Sequence, residues 1–292
     1  MDRVRAMHLA HRLPAGQLAV AAHAGLQDSA PRAALFSLHA RVDGVGPDSW
    51  DDPALVQVWG PRMAAYVVPA DAIAAFTLGR LPRDPKERAH IVALSDRVLA
   101  VLDGSPMRSN RLFATLRDLP NPVAVRAACA AGRFKIRWDA RTTTLIPIDR
   151  PEVDEEDARV ELVHRYVSWF GPRGGAARFA RWAGIDLADA AATWTQLTPC
   201  HRPAVAGPVT GVRFVPPGDP YLYGRPPPTS PAREIAGVVL VDGRRAGTWA
   251  RQGHRMTIRP APRVSPARLD RTTAAAHELD GLLGRPVAVT VA

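Results

Sequence analysis

Three polar side chains, Gln27, Asp28 and Ser29, stand in a row inside the stretch from Gly25 to Arg41. Two readings fit them. Ser29 or Asp28 caps a helix by accepting hydrogen bonds from its free amides, or the three form a small polar cluster facing a nucleic acid. Other reactive constellations are weaker. His8 and His11 share a helical face, as a metal pair would, but no third ligand is evident. No Gly-x-Ser-x-Gly elbow and no phosphate-cradling glycine loop occur. Cys129 and Cys200 lie far apart and make neither a metal spacing nor a disulfide framework. No metal and no cofactor are expected.

The elements around this cluster follow from periodicity. Leu18, Ala22 and Leu26 lie four apart and predict a helix from about Ala15 to Leu26. A second helix starts after Ser29, with Pro31 in its first turn and Leu35 and Leu38 inside it. Leu55 to Val58 and Tyr66 to Val68 read as strands broken by Gly60 and Pro61, and Asp71 to Phe76 as a helix. Helices followed by a two-stranded wing describe a winged helix over 1–82, with Arg62 beside the wing turn as a phosphate contact.

The same order returns over 83–150. Helices are predicted over Ala89–Leu102, Asn110–Leu116 and Val123–Ala131, then a hairpin, Phe134–Trp138 and Thr142–Ile148. Arg133, Lys135, Arg137 and Arg141 decorate it, either as a solvated strand face or as a wing touching the DNA backbone. A third unit, 151–205, opens on the acidic run Glu152–Glu161 as a linker and first helical turn. Two further helices follow, with Arg173, Arg178 and Arg181 on or near the first of them. From 206 to 292 the chain is β-rich, with a hairpin turning at Asp242-Gly243, a helix Pro266–Leu283 and a last strand. The expected fold is thus α+β: tandem winged helices, then a β-rich, barrel-like C-terminal domain.

The formal charge is +10, with 38 basic against 28 acidic residues, and Lys86 and Lys135 are the only lysines. Such a balance favours an acidic partner, most simply nucleic acid, and arginine suits bidentate phosphate contact. A GC-rich genome also supplies arginine. No apolar run approaches the ~20 residues that span a bilayer, and no signal peptide is evident. A cytoplasmic monomer with no membrane partner is expected.

The stretch from Gly25 to Arg41 resembles the Gly-Leu-Gln-x-Gln-Asp-Pro-x-Ala-Ala signature of a winged-helix family (HTH_42) that includes AlkZ-type and YcaQ-type DNA glycosylases. Gln27, Pro31, Arg32, Ala33, Ala34 and Arg41 match. Ser29 stands where AlkZ-type proteins have a second glutamine and YcaQ-type proteins an aspartate. In the wing string Trp-x-Met-Arg-Gly-Thr-Leu-His, Trp59 and Arg62 fit, while Met63 replaces the glycine and Tyr66 the histidine. Tyr166, Gly171-Pro172, Trp182 and Gly184 match a later segment. Asp219, Tyr221, Leu222, Gly224, Arg225 and the string Val239 to Trp249 match the C-terminal one.

The resemblance implies excision of alkylated or bulky bases from double-stranded DNA. That chemistry needs a water, a group to orient or deprotonate it, and stabilisation of a cationic sugar. Paired amides position a water between them; a carboxylate activates it and steadies the cation. Gln27 supplies one amide, Ser29 a shorter substitute, and Asp28 the nearest carboxylate. The DNA-contact set is Arg32, Arg62, Arg133, Lys135, Arg137, Arg141 and Arg173. The alternative is a non-catalytic DNA-binding member, a damage binder or a transcriptional regulator. The glutamine-to-serine change favours that alternative; the preserved architecture favours the enzyme.

Overall fold

The computed structural model describes residues 3–119, 122–197, 207–224 and 236–292. Cys200, Arg225 and the run Pro226 to Pro228 lie outside them. The chain packs as two units, each discontinuous in sequence. One is His23–Pro31 with Pro53–Arg202; the other is Met1–Ala22 with Arg32–Asp52 and Pro203–Ala292.

The first unit holds a six-stranded sheet built from β1 (Leu26–Gln27), β2 (Leu55–Trp59), β3 (Ala65–Pro69), β4 (Met107–Arg108), β5 (Phe134–Trp138) and β6 (Thr143–Pro147). The order is β1-β3-β2-β5-β6-β4, and every pair is antiparallel. Both expected hairpins form, β2–β3 and β5–β6, and Gln57↔Ile136 joins them into one sheet. The reason is apolar: Trp59 on β2 and Phe134 on β5 meet edge-to-face at 6.4 Å and are buried together. The β5–β6 turn is set by Asp139, which accepts from the amides of Arg141 and Thr142. Those hydrogen bonds hold its carboxyl below the usual range.

Helices complete this unit. Pro85–Leu102 starts on Asp84, whose side chain accepts from Lys86 N and Glu87 N. Glu155–Phe170 starts in the same way on Asp154, inside the acidic run, and stops at Gly171. Gly175–Ala183 ends on a left-handed Gly184, and Asp186 caps Leu187–Trp194. Tyr166 centres an aromatic core with Phe170, Phe179, Trp182 and Trp194 at 4.9–6.3 Å. The described residues from 151 to 197 contain no strand, so the third unit shows its helices without a wing. Arg80 is buried; its guanidinium donates to Trp59 O and Ala183 O, and burial lowers its pKa to about 10. Cys129 is buried too, which pushes its thiol up to about 11.

The second unit holds β7 (Val212–Val215), β8 (Gly237–Val241), β9 (Arg244–Gln252), β10 (Arg255–Pro260) and β11 (Ala288–Val291). The order is β11-β10-β9-β8-β7, antiparallel except for the β10–β11 pair. Among the described residues this sheet is open, with β7 and β11 as its edges, and it does not close into the expected barrel. The Asp242-Gly243 turn joins β8 to β9 with both residues at positive φ, as a tight primed turn requires. The helix Ala33–His39 lies in this unit, where Phe36 packs on Trp249 at 5.0 Å. Buried Arg41 and Asp219 form a bidentate ion pair at 2.8 Å, and Ser37 Oγ donates to the same carboxylate at 2.6 Å. Among the described residues no helix is long and apolar enough to cross a membrane.

Candidate active site

The helix expected up to Leu26 is a single turn, Leu18–Ala21. Gly25 turns the chain at φ +76°, where an added Cβ would lie 2.8 Å from Phe76 and 3.0 Å from Tyr66. Only glycine fits so close to both rings at that φ. Beyond it the backbone is extended, Leu26 pairs with Val67 and Gln27 with Tyr66. Gln27 thus sits on an edge strand of the sheet and not at the helix junction expected from periodicity.

Its amide is held at both ends. Gln27 Oε1 accepts from an Arg62 terminal nitrogen at 2.9 Å and from the Tyr66 hydroxyl at 3.4 Å; Gln27 Nε2 donates to Ser29 Oγ at 2.9 Å. The Arg62 nitrogen also donates to the Tyr66 hydroxyl at 2.9 Å. Its other terminal nitrogen donates to Trp182 O at 2.7 Å. The Trp182-Ala-Gly184 segment therefore anchors the arginine that orients the glutamine. Gly184, at φ +69°, lies so near that a Cβ would come within 2.7 Å of Arg62 N.

Asp28 goes elsewhere. It is buried, and its carboxylate accepts from Gln57 Nε2 at 2.8 Å, while Gln57 Oε1 accepts from Trp138 N at 2.5 Å. The carboxylate is turned into the sheet. The expected cap does not form: Arg32, in left-handed conformation, precedes Ala33–His39 without a side-chain cap. Strand pairing overrides it, since Asp28 N donates to Ala65 O at 2.8 Å and Ser29 Oγ is engaged by Gln27.

Of the residues singled out in the sequence, Gln27, Ser29 and Arg62 come together. Arg133, Lys135 and Arg137 lie on or beside β5, which β3 and β2 separate from β1, about 14 Å at ordinary strand spacing. Arg133 pairs with Asp96. Arg141 is exposed at the β5–β6 turn, and Arg173 is exposed just after Glu155–Phe170. Arg32 lies in the other unit. Tyr66 is the member that sequence reasoning missed. It was visible as a departure, a tyrosine in the histidine position of the wing string, but its hydroxyl meets Gln27 only through β1–β3 pairing.

The turn between β2 and β3 carries strain. Arg62 and Met63 both have positive φ, +55° and +56°. Met63 stands where the resembled string has glycine, the residue that bears such a φ without penalty. Met63→Gly is expected to raise unfolding stability by about 0.5–1 kcal/mol. A lowered denaturant midpoint would show instead that the half-buried thioether contributes more than the strain costs.

Comparison with known proteins agrees with this architecture. No curated protein sequence matches the chain. Streptomyces sahachiroi DNA glycosylase AlkZ, a solved structure, superposes with a TM-score of 0.71 over 100% of this chain and 97% of that one. At 15% identity that likeness speaks for the fold. A family model, DNA glycosylase AlkZ-like, matches residues 20–284, from before Gln27 to beyond the β9–β10 hairpin. By that match the chain belongs to the AlkZ-like DNA glycosylase family.

Proposed function

We propose that this protein binds double-stranded DNA as a cytoplasmic monomer and excises alkylated or bulky bases by hydrolysis of the N-glycosidic bond. The observation that carries the reading is the Gln27 amide, fixed by Arg62, Tyr66 and Ser29 at an edge of the six-stranded sheet. Gln27 Nε2 and Ser29 Oγ, bonded to each other, together orient the attacking water beside that bond, in place of two amides. The guanidinium of Arg62 fixes which end of the amide faces the water. The β2–β3 and β5–β6 hairpins act as winged-helix wings on the backbone, with Arg62, Arg137 and Arg141 as phosphate contacts.

A second reading has its own support. The one carboxylate of the Gln27-Asp28-Ser29 run is buried and bonded to Gln57. A site without a solvent-facing carboxylate there suits a protein that binds damage without cutting it.

Release of modified bases from alkylated duplex DNA by the purified protein separates the two. Tight binding without release selects the binder. Under either reading the affinity should fall steeply with salt, because each phosphate contact releases counterions with a slope of about −0.9. No binding even at low salt would remove both.

A further inference from the structure

Arg32 and Phe36 are one turn apart at the start of Ala33–His39, with Phe36 N bonded to Arg32 O, so they share a face. Onto this face β9 brings Arg251, its guanidinium 5.4 Å from the centre of the Phe36 ring. The Arg32 guanidinium lies 5.0 Å over the ring of Trp50, in the short 3-10 helix Pro47–Asp51. The helix Leu279–Leu283 packs on that same 3-10 helix, and Arg285 follows it directly, one residue after Gly284, which approaches Pro47. Three chain segments thus deliver three arginines to one patch, two of them placed over aromatic rings.

We propose that Arg32, Arg251 and Arg285 form a phosphate-binding patch that contacts the DNA backbone in addition to the wing residues.

A guanidinium stacked on a ring is fixed in orientation at little entropic cost, and it presents its N–H edge to phosphate oxygens. Three like charges gathered in one place oppose one another. That shows in Arg251, whose pKa is lowered first by burial and then by the charges of Arg285 and Arg32. A phosphate relieves this repulsion, whereas a purely structural cation–π contact gains nothing from two more arginines. The patch rests on the DNA-binding reading above and extends it to residues of the unit that does not contain Gln27.

The test is the salt dependence of duplex-DNA binding by the full chain, between about 50 and 200 mM salt. Arg251→Gln combined with Arg285→Gln should lower the slope by about two and weaken binding roughly 30-fold near 0.15 M. Arg285→Gln alone, at an exposed position, should lower it by about one and serves if the Arg251 change perturbs folding. Arg244→Gln, an exposed arginine of the same unit, removes equal charge and should change affinity no more than about twofold. If wild type binds while Arg285→Gln and a normally melting double variant both keep the wild-type slope, the patch is excluded and DNA binding stands. An equal loss in Arg244→Gln would likewise exclude it, as a general charge effect. No binding by wild type would remove the patch together with the function it rests on.

Discussion

Gln27→Ala is expected to abolish base release, at least about 100-fold in single-turnover rate, while DNA affinity stays within a few-fold. The side chain orients a water in the chemical step and makes little of the binding surface. Its amide is fixed by Arg62, Tyr66 and Ser29, so the truncation removes a placed group and not a mobile one. Ser29→Gln rebuilds the AlkZ-type pair of amides and should raise or create excision activity. Asp28→Asn is the control: its buried group still offers an oxygen to Gln57 Nε2, so a loss of about 1 kcal/mol of stability and little activity is expected. Loss of activity in Asp28→Asn without a change in melting would identify the carboxylate as the catalyst. Wild type and Ser29→Gln both silent on alkylated or cross-linked DNA would favour the binder.

The largest stability effect belongs to Asp219. Asp219→Ala leaves the Arg41 guanidinium buried without its carboxylate, and both side chains are fully buried in the native pair. Removing one partner of such a pair costs about 3–5 kcal/mol. In a chain of this size that is a fall in melting temperature on the order of 10 °C. Ser37 Oγ and Tyr221 N, which also donate to this carboxylate, lose their acceptor as well. Replacing both members, Arg41→Met with Asp219→Leu, should cost much less, because no buried charge remains. A single-variant loss under about 1 kcal/mol would mean that water enters and solvates the arginine.

Much of the local structure was legible in the chain. The β2–β3, β5–β6 and β8–β9 hairpins follow from alternation and turn residues, and Asp186, Gly171 and Gly184 mark helix ends through short-range hydrogen bonds. These signals are local, so the sequence carries them within a few residues. Gln27 and Ser29 were legible for their side-chain chemistry, and Arg41 and Asp219 as separate motif residues.

Long-range pairing decided the rest. Leu18, Ala22 and Leu26 have helical spacing, yet Gly25 and the free edge of β3 draw Leu26 and Gln27 into the sheet. Two apparent wings became one sheet because Trp59 and Phe134 bury each other across β2 and β5. Asp28 faces inward because Gln57, 29 residues on, presents a donor there. Tyr66 reaches Gln27 across 39 residues and Arg41 reaches Asp219 across 178. Residue types and local turns set which groups could act. Only burial and strand pairing between distant segments set which of them meet, because those energies exist only once the chain has closed on itself.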